Sequence, residues 1–430
     1  MKIAVAGLWH LGCVTAACLA KGGHAVIAYD PDANLVAKLE QGIPPVSEPG
    51  LTELLSANTI EKKLSYTHDA TSLKNCEVLW ICFDTPVNQD DVADVEFVCY
   101  EIKKCLSQLA ANTLVIISSQ IPAGTTQTLI DFAAGLYAEK NLVFAVSPEN
   151  LRLGKALDIF LQPDRIVIGL DDLTAKPRLE QLLKPFSEKL VWMSVISAEM
   201  TKHAINSFLA LSVTFANELG ALCETVGANA RDIEKAMKSE ERIGPKAYVR
   251  AGAAIGGGTL LRDINYLAQL GAAKQRETYL ISAVLTSNHD HKKWVQRKLT
   301  TLLENLRGKD IAVLGLTYKA GTDTLRRSAT METCKWLHQQ GVTVRAYDPA
   351  INSLPPEYAG FLQLQTSVNA ALEAADAVVI ATEWPDFREI SADTFIKYLK
   401  HPRVLDASGF IAASVGSDAR IDYFSVGVVA

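Results

Sequence analysis

No basic excess, no paired cysteines and no unbroken apolar run of membrane length occur in this sequence. Lys and Arg number 42 against 48 Asp and Glu, for a net charge of -6. That balance leaves no basic footprint for nucleic acid and no attraction to an anionic membrane surface. The lack of a long apolar run predicts a chain without a membrane span or membrane partner. The first apolar stretch starts at Lys2 and is broken by glycines and His10, so it does not read as a signal peptide. The 8 cysteines are dispersed, form no C-x-x-C pair, and leave the stretch between Cys223 and Cys334 empty. They read as reduced core thiols of a cytoplasmic protein, and no metal site is expected.

What is present looks like an ordinary globular enzyme, with 49% hydrophobic and 21% charged residues. A chain of 430 residues is too long for one core. The pattern divides it into an N-terminal α/β domain (1–196), a helical segment (197–304) and a C-terminal α/β domain (305–430). The expected fold is α/β, with two Rossmann-like, doubly wound domains joined by a long central helix.

Lys2–Gly7 is a short apolar run that reads as a buried parallel strand, followed by Gly7-Leu-Trp9-His10-Leu11-Gly12 and a helical pattern. A second strand from His24 to Tyr29 ends in Asp30. Strand, glycine turn, helix, strand and acid form the dinucleotide fingerprint, with pyrophosphate at the helix start and Asp30 on the ribose. The acid favours NAD over NADP. One position departs, since Trp9 stands where the fingerprint has its second glycine. Strand-like runs 78–83, 114–117, 142–146 and 165–169 follow. Their carboxyl ends carry Asp84-Thr85-Pro86, Ser118-Ser119-Gln120 and Ser147-Pro148-Glu149. Loops at such ends bind ligands in open sheets, which adds Thr85, Pro86, Ser119 and Gln120 to the cofactor candidates.

Ala198–Glu218 reads as a long, largely apolar helix, and further helix is expected from Thr278 to Asn305. Lys202 and Asn206 share one helical face, either as site residues or as a snorkelling lysine and a satisfied core amide. Between the two helical regions lies Gly252-Ala-Ala-Ile-Gly256-Gly257-Gly258-Thr259-Leu-Leu-Arg262-Asp263. Such glycines let a backbone approach a ligand, though an empty loop reads the same way. Asp310–Lys319 then repeats the strand and glycine turn, and Val342–Tyr347 ends in Asp348 as the earlier strand ends in Asp30. Lys319, Arg326 and Arg327 follow on a loop suited to a diphosphate or simply solvated.

These stretches resemble the UDP-glucose/GDP-mannose dehydrogenase family over essentially the whole chain. The resemblance rests on Glu48-Pro49-Gly50-Leu51, Ser147-Pro148-Glu149-x-Leu151-Arg152-x-Gly154 and Pro163-Asp164-Arg165. It rests further on Glu199-Met-x-Lys202 with Asn206, Phe215-Ala-Asn217-Glu218, Arg242-Ile-Gly244, Gly315–Lys319, Thr322-Asp323-x-x-Arg326 and Thr382-Glu383-Trp384. It implies NAD in the first domain, a nucleotide in the last, and a homodimer. It also implies a nucleotide-sugar substrate whose primary alcohol is oxidised, with a place in polysaccharide or glycoconjugate synthesis. The catalytic candidates would be Glu149, Lys202, Asn206, Asp263 and Thr259. Substrate contacts would fall on Glu149, Leu151, Arg152, Lys202 and Asn206. Others would fall on Arg242, Gly256, Gly257, Lys319 and Arg326.

The family oxidises its alcohol twice, trapping the intermediate aldehyde on a cysteine of the glycine loop. In this sequence the family's cysteine falls on Thr259, its lysine on Arg262, and its water-positioning threonine on Gln120. Its late Asp-x-Arg-Asn motif appears as Asp406-Ala-Ser408-Gly409, without the arginine. A hydroxyl is far less acidic than a thiol, and its ester leaves less readily. The expected function is therefore an NAD-dependent oxidation of a UDP- or GDP-sugar alcohol without the thioester step. A non-catalytic nucleotide-sugar or dinucleotide-binding protein, and an oxidoreductase of altered regiochemistry, are the alternatives.

Overall fold

The computed structural model describes residues 1–86, 93–149, 151–256, 259–326 and 328–428, so Gly257, Gly258 and Arg327 lie outside the described residues. The chain forms two compact units, Met1–Ile205 and Asn206–Ala430.

Strand β1 (Lys2–Ala6) shows how the first unit is built. Its side chains alternate, Ile3 and Val5 entering one buried apolar layer and Ala4 and Ala6 the other. A strand covered on both faces needs such a continuous apolar run. Seven further strands complete the sheet. They are β2 (Ala25–Tyr29), β3 (Leu64–Thr67), β4 (Val78–Ile81), β5 (Leu114–Ile117), β6 (Val143–Val146), β7 (Ile166–Leu170) and β8 (Leu190–Met193). Their order is β3-β2-β1-β4-β5-β6-β7-β8. Strands β1 to β6 are parallel, whereas β7 runs antiparallel to β6 through Ala145 and Leu170.

The second unit repeats the plan. Its strands are β9 (Asp310–Leu314), β10 (Thr343–Tyr347), β11 (Gln363–Leu364), β12 (Ala377–Ile380), β13 (Arg403–Asp406) and β14 (Asp422–Phe424). They are all parallel and ordered β11-β10-β9-β12-β13-β14. Strand β9 alternates as β1 does, with Ile311 and Val313 on one layer and Ala312 and Leu314 on the other. In both sheets the first strand lies centrally and the connections run out to either side of it. That is the doubly wound order, whose switch point opens a crevice at the carboxyl ends of the strands.

A helix of 32 residues, Val195–Val226, follows β8. By length and composition alone it is apolar enough to cross a membrane, although its sequence is not an unbroken apolar run. Its polar residues explain the difference. Glu199, His203, Asn206 and Asn217 interrupt the apolar sequence, and each is buried and hydrogen-bonded within the protein. The helical stretch expected over 278–305 is two helices, Tyr279–His291 and Trp294–Leu303. Seven of the eight cysteines are buried and the eighth, Cys99, is half-buried; all are free thiols. Burial pushes the Cys13, Cys82 and Cys334 thiols up to about 12, which leaves them inert.

Candidate functional site

In the first unit, Gly7 turns the chain out of β1 with a φ of +90°, and a β-carbon there would lie 2.5 Å from the Phe83 nitrogen. Only glycine fits. At Gly12 a β-carbon would fall 1.7 Å from the Gly7 carbonyl, so turn and helix pack backbone to backbone. Trp9 caps the helix His10–Lys21 with a φ of -74°, a conformation open to any residue, so the turn tolerates the missing glycine. The first helical bond runs from Cys13 N–H to the Trp9 carbonyl. No side chain caps the N–H groups ahead of it, and the first turn holds no acid. Such a start favours an anion.

Asp30 follows β2 and is buried. One of its oxygens accepts the Leu8 N–H at 2.7 Å and the other the Asp32 N–H at 3.0 Å. Burial pushes its carboxyl up, and these two N–H groups pull it only partly back. A cleft of about 430 Å³ opens here, lined among others by Gly7, Trp9, Asp30, Asn34, Pro86 and Phe97. Turn, uncapped helix start and acid fit a dinucleotide. His10 turns its ring toward Glu48 at 2.9 Å, and Leu11 is half-buried. The Thr85 and Ser119 hydroxyls tie loops together, donating to the carbonyls of Gln120 and Phe83 at 2.7 Å each.

A second grouping sits beyond β5 and β6. Lys202 lies 3.0 Å from a Glu149 oxygen and donates to the Glu149 carbonyl at 2.7 Å. The other carboxylate oxygen accepts the Leu151 N–H at 2.7 Å. Ser119, Gln120, Pro148 and His203 complete a recess of about 20 Å³, room for about one water. Arg152 is exposed on the loop that follows. That loop is fastened by Glu48, which accepts the Gly154 and Ala156 N–H groups at 2.9 and 2.8 Å as well as His10.

In the second unit, the glycine loop is held by side chains that no local pattern marks. Asn217 accepts the Gly252 N–H at 2.8 Å, and His291 Nε2 lies 2.7 Å from the Gly252 carbonyl. Asn288 brackets Ile255, accepting its N–H at 2.8 Å and donating to its carbonyl at 3.1 Å. Past the loop, Thr259 opens the helix Thr259–Ala273 and is exposed. Asp263, fully buried, accepts the Asn206 side-chain amide at 2.5 Å.

The glycine turn of β9 mirrors that of β1. Gly315 has a φ of +94°, and a β-carbon would lie 2.5 Å from Thr382. Asp348 accepts the Leu316 and Thr317 N–H groups at 2.6 and 3.0 Å, and the Trp384 indole at 3.1 Å. A cavity of about 160 Å³ lies at the carboxyl ends of β9, β12 and β13, between Gly256, Trp294, Thr317, Ser328, Ala381 and Ser408. Lys319 and Arg326 are exposed and do not line it. Arg242 is also exposed and pairs with Glu240 at 2.8 Å, away from that wall.

Two doubly wound nucleotide-binding folds, one with a dinucleotide turn, define a Rossmann-type dehydrogenase. The comparisons narrow that class. Residues 1–187 match the NAD binding domain of the UDP-glucose/GDP-mannose dehydrogenase family, residues 196–290 its central domain, and residues 312–413 its UDP binding domain. The chain belongs to that family. It is 33% identical to a UDP-glucose 6-dehydrogenase of Rickettsia felis over 437 residues, covering 99% of this chain and 96% of the relative. A UDP-glucose dehydrogenase structure from Pyrobaculum islandicum superposes with a TM-score of 0.87 at 30% identity, over 100% of this chain and 98% of that one. A UDP-D-ManNAc dehydrogenase structure from Pyrococcus horikoshii gives 0.84 at 26%, over 99% of each.

Proposed function

We propose that this protein oxidises an alcohol carbon of a UDP-sugar with NAD, without passing through a covalent thioester. The observation that carries the reading is the Lys202–Glu149 pair at the carboxyl ends of β5 and β6, beside a recess of about one water. The match to a UDP binding domain favours uridine, while the relatives named above differ in their sugars.

Each named group has a physical task. Gly7, the first N–H groups of the helix at His10, Leu11 and Gly12, and the Asp30 carboxylate hold the dinucleotide. Bound there, NAD supplies a hydride acceptor. Lys202 presents a fixed positive charge to an alcohol oxygen that becomes an alkoxide as its proton leaves. Glu149 holds that ammonium group in place through both its carboxylate and its carbonyl. Asp263 fixes the Asn206 amide so that its remaining hydrogen-bonding capacity is oriented. Thr259 stands where the family's cysteine is expected, and its hydroxyl is a poor aldehyde trap. Gln120 stands in the water-positioning place. Leu151, Arg152, Arg242, Gly256, Lys319 and Arg326 are read as substrate-side residues by their family motifs.

We read residues 1–196 as the cofactor domain, 197–304 as the helical connector and 305–430 as the nucleotide domain. A cytoplasmic homodimer fits the free thiols and the exposed Phe208, Phe215 and Leu222, seven residues apart on one helix. A panel of UDP- and GDP-sugars incubated with NAD tests the function, with NADH absorbance and product mass as readouts. Turnover of a UDP-sugar is expected. No NADH from any of them would remove the dehydrogenase reading.

A further inference from the structure

Of the 6 tryptophans, Trp9 alone is exposed, at 48%; the others are buried or half-buried. It is also the residue that stands in the place of the dinucleotide turn's second glycine. Its neighbour Leu8 is fully buried in an apolar layer of the first sheet, so the two side chains part, Leu8 inward and Trp9 outward. Among the described residues the Trp9 ring pairs with no other aromatic ring, and its indole nitrogen forms no hydrogen bond. A large apolar ring left half in water adds little to a core. Its natural counterpart is a ligand that covers it.

The backbone at Trp9 is fixed by the helix it opens. Its carbonyl accepts the Cys13 N–H at 3.0 Å, and its φ of -74° and ψ of -159° are those of an extended cap residue. Gly7 before it and Gly12 after it are locked against Phe83 and against each other, with no room for a β-carbon at either. The turn therefore cannot shift to carry the Trp9 side chain elsewhere. That side chain lines the cleft of about 430 Å³ together with Asp30, Lys38, Pro86 and Phe97. Asp30 accepts the Leu8 N–H at 2.7 Å, so the ring stands one residue from the contact of the acid that marks the ribose.

A glycine at this place lets the pyrophosphate come against the backbone N–H groups of the helix start. A β-carbon fills part of that path, and an indole fills more. Hydrogen bonds from N–H groups to phosphate oxygens are charge-assisted and are lost when the anion is held off. Little else in the cleft can replace them. The described residues that line it include three carboxylates, Asp30, Asp32 and Asp84, against one cation, Lys38. What the ring offers instead is a flat apolar face and one N–H donor.

We propose that Trp9 limits dinucleotide affinity in this chain. Its side chain holds the diphosphate off the helix start, and the bound cofactor rests on the indole rather than on the backbone. This builds on the reading of the first unit's cleft as an NAD site. It adds a side chain that keeps the affinity of that site below what the same turn would give with glycine.

The test is titration of the full chain with NADH and with ADP-ribose, in wild type, Trp9→Gly and Trp9→Ala. Glycine is accepted at a helix N-cap, and thermal unfolding checks that each variant keeps the fold. Trp9→Gly should lower both dissociation constants about tenfold, and Trp9→Ala, which keeps the β-carbon, should lower them less. Tryptophan emission gives a second readout, because Trp9 is the exposed one. ADP-ribose should shift wild-type emission to shorter wavelength as it covers the ring, and Trp9→Phe should lack that shift. Dissociation constants in both Trp9→Gly and Trp9→Ala at or above the wild-type values, while wild type still reduces NAD with a UDP-sugar, overturn this inference alone. Binding of NADH by Trp9→Gly where wild type shows none upholds it and removes the dehydrogenase reading. No NADH binding by either protein overturns both.

Discussion

Lys202 reaches Glu149 twice, at 3.0 Å to a carboxylate oxygen and at 2.7 Å to the backbone carbonyl. A purely structural ion pair needs only the first contact. The second fixes the ammonium group against the turn that follows β6, where a ligand of the parallel sheet would lie. Lys202→Ala should lower kcat by about 100-fold or more with a much smaller change in KM, because charge is needed most as the alkoxide develops. Lys202→Arg should recover little of it, since a planar fork cannot reproduce both contacts. Steady-state kinetics decide this, and a variant altered only in KM would refute a role in the chemistry.

In its proposed place on the dinucleotide, Asp30 should set cofactor affinity and its dependence on pH. Asp30→Ala should weaken NADH binding about tenfold, consistent with loss of hydrogen bonds to a charged acceptor. Because burial raises its folded-state pKa, the carboxylate protonates at a higher pH than an ordinary aspartate. NADH affinity should therefore begin to fall early as the solution is acidified, and Asp30→Asn should flatten that slope. Fluorescence titration across pH is the readout. A slope that survives in Asp30→Asn would assign the titration to another group.

Glu48 predicts acid behaviour of the opposite sign. Burial pushes its carboxyl up, but the Gly154 and Ala156 N–H groups and His10 outweigh that and leave it below its usual range. A depressed folded-state pKa contributes stability above the unfolded value of about 4.3, and loses it as pH falls through the folded value. Glu48→Ala should cost roughly 2–4 kcal/mol at neutral pH and lessen the acid-side loss. Urea unfolding at neutral pH and near pH 4 measures both. Equal destabilisation at the two pH values would mean that only packing was lost.

The central strands were legible in sequence because each is a short, continuous apolar run. In the first sheet, both strands that sequence reading passes over are its edges, β3 and β8. Edge strands are short and partly exposed, so their apolar signal fades into that of a loop. The same division holds at the site. Gly7 and Asp30, or Gly315 and Asp348, are recognisable because the turn and its acid recur at the ends of adjacent strands. Asn288 and His291 carry no such mark. Their backbone partners lie 33 and 39 residues away, at Ile255 and Gly252.

Asn288 is the sharpest of these long-range restraints on the glycine loop. Its amide satisfies both backbone groups of Ile255, and both residues are buried. Asn288→Leu leaves those groups unpaired and should cost about 1–3 kcal/mol each, lowering the thermal midpoint. Asn288→Asp keeps the acceptor, loses the donor, and should fall between. At temperatures where the variants remain folded, KM for the sugar nucleotide should rise while NADH affinity holds. A rise in the NADH dissociation constant of similar size would show that the damage is not confined to the loop.

Under the proposed reaction, Thr259 should limit each sugar to one hydride. It opens the helix Thr259–Ala273 with its side chain exposed, at the position where the family resemblance expects a thiol. A thiol near pKa 8.5 adds reversibly to an aldehyde and later leaves as thiolate, so one site can serve two oxidations. A threonine hydroxyl does neither at neutral pH without a strong base beside it. As proposed, the first oxidation needs no such nucleophile: the hydride goes to NAD and the alcohol proton to water, with the charge of Lys202 stabilising the alkoxide between. The aldehyde should then be released or hydrated, giving one NADH per sugar and a product that reacts with a carbonyl reagent. Thr259→Ala should retain activity within about threefold, since no bond to its oxygen is formed. Thr259→Cys should trap aldehyde, visible as a mass increment on the protein, even if Gln120 prevents the second step. Two NADH per sugar in the wild type, with an acyl group on Thr259 by mass spectrometry, would show that the hydroxyl does what a thiol is expected to do.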